Sequence, residues 1–137
     1  EIGVDMSRFP SAAHLASWAK VCPGNNESAG KRKSGHTGNG NPWLLSTLVE
    51  MAQAAGRTHN TYLSAQYHRL AARRGSKRAV VAVAHTILTI VYHLLRNGTT
   101  YQELGENYFD ERSRLRTVRK AVQRLERLGY EVALQPA

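Results

Sequence analysis

The stretch SKRAVVAVAHTILTIVYHLLRNG, residues 76 to 98, decides the fold. From Ala79 to Leu95 it is broken only by His85, Thr86, Thr89 and His93, so the helix it predicts is apolar nearly all the way round. Such a helix belongs at the centre of a bundle, because it has no face to give to water. Ser76 is its expected N-cap and Asn97-Gly98 its stop. The run falls short of the roughly 18 uninterrupted apolar residues that a membrane span requires. With no signal peptide opening the chain, the expectation is a cytoplasmic protein with no membrane partner.

Working outward, Ser11 is a predicted N-cap for a short helix that buries Leu15 and Trp18 and ends near Val21. Asn41-Pro42 opens a second helix, with proline at its first position. Leu44, Leu45, Leu48, Ala52 and Ala55 recur there at helical spacing, and Gly56 reads as the stop. A third helix runs from about Asn60 to Arg74, with Leu63, Tyr67 and Leu70 on one stripe. Downstream, Thr100-Tyr101-Gln102-Glu103 has capping-box form and predicts a short helical turn. The last helix, from about Glu111 to Leu128, sets Leu115, Val118, Val122 and Leu125 along one seam. Arg112, Arg116, Arg119, Lys120 and Arg127 fall largely on its other side. Tyr130, Val132 and Leu134 then alternate with Glu131 and Ala133, which reads as a short strand. The expected fold is all-α: a compact bundle of five or six helices with a long Gly-rich basic loop and a short C-terminal strand. At 137 residues, 42% of them apolar, the chain has one domain's worth of core.

Nineteen Lys and Arg stand against ten Asp and Glu, a net +9. An excess of that size in a small domain points to a polyanionic partner, since each phosphate neutralised releases counterions. The charge gathers at three places. One is the loop over residues 22–41, with five glycines, Ser28 and the run Lys31-Arg32-Lys33. Structureless connections longer than about 12–15 residues are uncommon in compact domains and are usually functional or disordered. The backbone N–H groups of such a loop form anion-binding nests. Two readings stand: a phosphate site, or a surface loop whose serine does nothing. The second place is Arg73-Arg74-Gly75-Ser76-Lys77-Arg78, which includes a helix N-terminus whose free N–H groups favour phosphate. The third is the last helix, with Arg116, Arg119 and Lys120. Trp43, Tyr62, Tyr67, Tyr101 and Tyr108 are available either to stack on bases or to pack in the core.

A serine hydroxyl is a poor nucleophile without a base or metal to take its proton. Glu27 and His36 are near Ser28 only in sequence, and Ser34 competes with it. Glu103, Glu106, Asp110 and Glu111 do not form a convincing two-metal cluster. His85 and His93 read as hydrogen-bonded core residues, and His59 and His68 lack ligand partners. No metal is therefore expected on this chain alone. The single Cys22 excludes an internal disulfide and fits a reducing compartment.

Ile2-Gly3-Val4-Asp5, Arg8-Phe9-Pro10-Ser11-Ala12, Leu15-Ala16-Ser17-Trp18-Ala19 and Pro23-Gly24-Asn25-Asn26-Glu27-Ser28-Ala29-Gly30 together resemble the C-terminal domain of the insertion-sequence 110/116/902 transposase family. So do Gly38-Asn39-Gly40-Asn41-Pro42-Trp43-Leu44, Val80-Val81-Ala82-Val83-Ala84-His85 and Leu104-Gly105-Glu106-Asn107-Tyr108-Phe109. Their order and spacing carry the resemblance more than any single motif. It implies a DNA recombinase whose N-terminal domain, similar to a Holliday-junction resolvase, holds Mg²⁺ on four acidic residues. The C-terminal domain supplies a serine that attacks the scissile phosphate, and this serine follows a Pro-x-x-x-Glu stretch, here Pro23 to Glu27, and maps to Ser28. By the same kinship the partners are DNA, an element-encoded guide RNA in some members, and further copies of the full-length protein. Beginning at Glu1 without an initiator Met, residues 1–137 read as a fragment lacking the acidic domain and inactive alone. A noncatalytic helical DNA- or RNA-binding module is the alternative.

Overall fold

The computed structural model describes residues 1–22, 26–34 and 37–135. The Ser11 hydroxyl accepts from the His14 N–H and opens helix α1 (Ala12–Trp18), as its sequence predicts. The loop that follows carries two short antiparallel strands, β1 (Asn26–Ser28) and β2 (Lys31–Ser34). Asn41 then caps α2 (Pro42–Arg57): its Oδ1 accepts from the N–H groups of Trp43 at 2.9 Å and Leu44 at 3.1 Å. Its Nδ2 donates to the Glu1 carboxylate at 2.5 Å, so the cap also ties down the chain's first residue. Thr61 caps α3 (Tyr62–Arg74), which is followed by α4 (Ser76–Asn97), α5 (Tyr108–Arg112) and α6 (Arg114–Arg127). Six α-helices among the described residues match the predicted all-α bundle.

Two compact units result, Glu1–Glu106 and Asn107–Ala137. In the first, α4 is the hub, packing against α1, α2 and α3. It buries Val83, Ala84, Ile87, Leu88 and Tyr92 in one cluster with Leu15, Ala16 and Ala19 of the α1 region and Leu48 and Ala52 of α2. By length and composition α4 could cross a bilayer, but its place is inside this bundle. Midway along it, Gln66 Nε2 of α3 donates to Thr86 Oγ1 at 2.9 Å. A fully buried Val, Leu or Ile contributes about 1.5–3 kcal/mol, against about 0.5–1.5 kcal/mol net for one hydrogen bond. Packing therefore holds α4, and polar contacts decide what else is fastened to it. The chief fastening is Tyr92, whose hydroxyl donates to the Phe9 carbonyl at 3.0 Å and accepts from Arg96. Arg96 also donates to the Pro10 carbonyl at 3.2 Å, so the N-terminal segment is stitched to the last turns of α4.

Several local expectations yield to tertiary contacts. Trp18 is 46% exposed and lies 5.6 Å from Phe9, rather than entering the core. Gly56 does not stop α2. It is buried within the last turn, where a Cβ would meet the Tyr67 ring at 3.0 Å, so its missing side chain lets α2 and α3 close on each other. Ser76 is the first helical residue of α4 and not its cap; Gly75 holds that position at φ +85°. His93 is exposed rather than in the core.

No helical turn forms at Thr100–Glu103. The Glu103 carboxylate instead reaches across the chain and accepts from the Tyr62 N–H, at the start of α3, at 2.7 Å. It also accepts from the Gly105 N–H at 2.9 Å and the Tyr101 hydroxyl at 3.0 Å. Burial opposes its ionisation, but these hydrogen bonds outweigh it and hold the carboxyl below the usual glutamate range. Burial, and then Glu103 itself, push Tyr101 up to about 12. A capping box is a local pattern, and here a distant helix N-terminus won the carboxylate.

In the second unit the single predicted helix is two. Ser113 Oγ donates to the Phe109 carbonyl at 2.6 Å, and its backbone leaves helical geometry between α5 and α6. The predicted strand over Tyr130–Leu134 is absent; alternation supplies a face, but no neighbouring strand pairs with it among the described residues.

Tyr92→Phe should lower stability by about 1–3 kcal/mol in chemical denaturation, because it leaves the Phe9 carbonyl without its donor. An undiminished unfolding midpoint would show that the stitch contributes nothing. Glu103 is stabilising in its charged form, fully so above the unfolded glutamate value of about 4.3, and that contribution is lost as pH falls through its lowered folded value. The stability gap between the wild type and Glu103→Gln should therefore be present at neutral pH and close in acid.

Candidate nucleic-acid interface

The loop over residues 22–41 is not structureless. The hairpin pairs Asn26 with Ser34, Glu27 with Arg32 and Ser28 with Lys31, with an irregularity between Asn26 and Glu27. Only Ala29 and Gly30 lie between Ser28 and Lys31, and both have positive φ, +51° and +73°. Two-residue hairpin turns need that sign because it matches the right-handed twist of the strands. Glycine adopts it freely, whereas alanine is strained there by about 1–2 kcal/mol. The strained residue is thus the immediate neighbour of Ser28.

The base of this excursion is fixed by close contact. Val21 is buried at its start. At its end Gly40 passes so near α1 that a Cβ would lie 2.4 Å from the Ala19 carbonyl oxygen. Neither strand packs against a helix among the described residues, so the hairpin stands away from the core. Ser28 and Lys31 are exposed. Directly opposed residues on paired strands share a face, which places the Ser28 hydroxyl and the Lys31 ammonium on the same side of the hairpin.

Each residue singled out in the sequence now has a place. Ser28, Lys31, Arg32 and Lys33 are brought together on the hairpin, and Ser34 sits at its far end from the turn. Pro23 to Asn25 and His36 lie outside the described residues, and with them most of the Pro-x-x-x-Glu stretch. Arg73 and Arg74 occupy the last turn of α3, and Lys77 and Arg78 the first turn of α4; all four are exposed. The two pairs differ in kind. Cations at a helix C-terminus complement the helix dipole, so Arg73 and Arg74 have a structural use. Lys77 and Arg78 sit at an N-terminus, where cations oppose the dipole, and α4 has no acidic residue in its first turn and no capping side chain. A locally unfavourable charge choice is expected where a binding surface requires it.

Arg116, Arg119 and Lys120 lie on α6, in the second unit, and are exposed. Lys120, Gln123, Arg124, Arg127 and Leu128 line a groove of about 420 Å³ there. Arg124 was not among the residues read as basic from the sequence, although its spacing of four from Lys120 was the available signal. The seam of Leu115, Val118 and Leu125 is exposed, Leu115 by 85%.

Among the described residues, no group of three or more His, Cys, Asp or Glu is placed to hold a metal ion. Cations and backbone N–H groups are the phosphate-binding chemistry this surface offers, and the exposed Ser28 stands beside them.

Residues 1–69, half of the chain, match the family profile described as transposase IS116/IS110/IS902 family. The match spans α1, the hairpin, α2 and the first half of α3; the similar stretches at Val80–His85 and Leu104–Phe109 lie beyond it. No curated protein and no solved structure matches the chain.

Ala29→Gly should relieve the turn strain and slow amide hydrogen exchange in β1 and β2 by roughly fivefold, equivalent to about 1 kcal/mol. Faster exchange in the variant would show that Ala29 is not strained.

Proposed function

Because the chain belongs to the IS116/IS110/IS902 transposase family, whose activity is DNA transposition and whose partner is DNA, we propose that Ser28 is the nucleophile of that reaction. The observation that carries this reading is the hairpin itself. A basic strand is folded back so that Ser28, exposed beside a strained turn, stands opposite Lys31. In the proposed step the Ser28 oxygen forms a bond to the scissile phosphorus, and the phosphorus–oxygen bond to the sugar breaks. The serine proton passes to a base, and the leaving sugar oxygen acquires one. Lys31 lies where its charge offsets charge developing on the phosphate oxygens. Arg73, Arg74, Lys77 and Arg78, with Arg116, Arg119 and Lys120, hold flanking backbone phosphates and set the DNA's register rather than its chemistry.

By family kinship, Mg²⁺ belongs in this reading to acidic residues outside residues 1–137. The chain alone would then bind DNA without cutting it. A guide RNA and assembly with further copies of the complete protein are carried as part of the same proposal. The same basic surface supports a second reading, in which the module binds nucleic acid and Ser28 only contacts phosphate.

The two part on one experiment. In the complete transposase, Ser28→Ala should reduce strand transfer by at least about 1,000-fold while DNA affinity stays within about twofold. Ser34→Ala, altered at the other end of the hairpin, should retain transfer. Normal recombination by Ser28→Ala would leave the binding module as the correct reading.

A further inference from the structure

A cleft of about 570 Å³ opens between α2, α3 and α4, and it belongs to none of the residues assigned above except Lys77. Its volume falls in the range of small-molecule sites, about 300–1,000 Å³. The wall is apolar: Val49, Tyr67, Val80 and Val81 are half-buried, and Gly56 is buried. The rim is polar and exposed, formed by Gln53, Arg57, Ser76 and Lys77, and no acidic residue lines the cleft. Arg57 is oriented by its own helix, its Nε donating to the Gln53 carbonyl at 3.2 Å. Gly56 sets the Tyr67 ring in place, because a side chain there would press on its carbons at 3.0 Å.

An apolar wall with an aromatic ring under a cationic rim selects a ligand with a flat apolar body and an anionic group. A nucleotide has that form. A base inside a duplex does not, since both its faces are stacked and out of reach. Only an unpaired base presents a face to Tyr67. The cations continue away from the cleft, through Arg78 along α4 and Arg73 and Arg74 at the end of α3, all exposed. A free nucleotide has no use for that extension, whereas a strand has further phosphates to place on it.

Resting on the DNA-binding reading above, we propose that this cleft receives one unpaired nucleotide of the bound strand. The base lies against Tyr67, Val80 and Val81, and its phosphate meets Arg57 and Lys77. The site would make the protein prefer DNA that is locally opened, independently of Ser28.

The test uses the 137-residue chain and three probes: a duplex with a single bulged 2-aminopurine, the same duplex fully paired, and free 2-aminopurine nucleoside monophosphate. The bulged duplex should bind about tenfold more tightly than the paired one, with quenching of the 2-aminopurine. Tyr67→Leu and Gln53→Trp should each remove that preference while leaving paired-duplex affinity unchanged. Gln53 is exposed, so its variant fills the cleft without disturbing the core. A preference that survives both substitutions overturns the proposal. Equal binding of bulged and paired DNA by the wild type also overturns it, while leaving the DNA-binding reading in place. Failure to bind either duplex sinks that earlier reading itself. Free monophosphate binding as tightly as the bulged strand overturns the assignment to a strand.

Discussion

The burial of one face of α4 is the constraint on which residues 1–106 depend. Val83, Ile87, Leu88 and Tyr92 are closed off by α1 and α2, and α3 packs along the same helix. Small residues make the approach close: Ala16 and Ala19 on one side, Ala52 and Gly56 on the other. Once that core closes, single polar contacts have large positional effects. Tyr92 and Arg96 fix the Phe9–Pro10 carbonyls, and Glu103 fixes the start of α3. The apolar surface supplies the energy, and these contacts supply the alignment.

The features of functional interest lie outside that core, and they share a physical character. Among the described residues the hairpin makes no packing contact with the helices, its turn holds an alanine at positive φ, and Ser28 to Lys31 are exposed. Lys77 and Arg78 oppose the dipole of the helix they begin. None of these choices improves the stability of the isolated fold. Each is intelligible if a polyanion supplies the missing interaction energy, and membership of a transposase family names DNA as that polyanion. Pinning by Gly40 against the Ala19 carbonyl allows an exposed element to be presented from a fixed base.

The second unit shows the reverse relation between pattern and packing. The α6 sequence separates an apolar seam from a basic face as clearly as any segment in the chain, yet Leu115, Val118 and Leu125 remain exposed. Amphipathicity records that a helix has two faces; it does not specify what covers the apolar one. The basic face, with its groove from Lys120 to Arg127, is the part of α6 that the structure makes interpretable.

What the sequence determined by itself was whatever depends on neighbours within a turn or two. The caps at Ser11 and Asn41 and the apolar run of α4 follow from local hydrogen bonding and period-3.6 burial. The family likeness, with Ser28 as its candidate nucleophile, was also legible in the residues, and the matched span includes that loop. Tertiary structure alone decided the rest. Glu103 abandoned its local box because a helix N-terminus came within 2.7 Å. Gly56 became a contact surface for Tyr67 instead of a stop. Tyr130–Leu134 formed no strand because a strand needs a partner. The Gly-rich loop folded back because a two-residue turn let its own halves pair, giving Ser28 the neighbour Lys31. The cleft beside Tyr67 has no signature in one dimension, since its walls come from three helices that only the packing of α4 brings together.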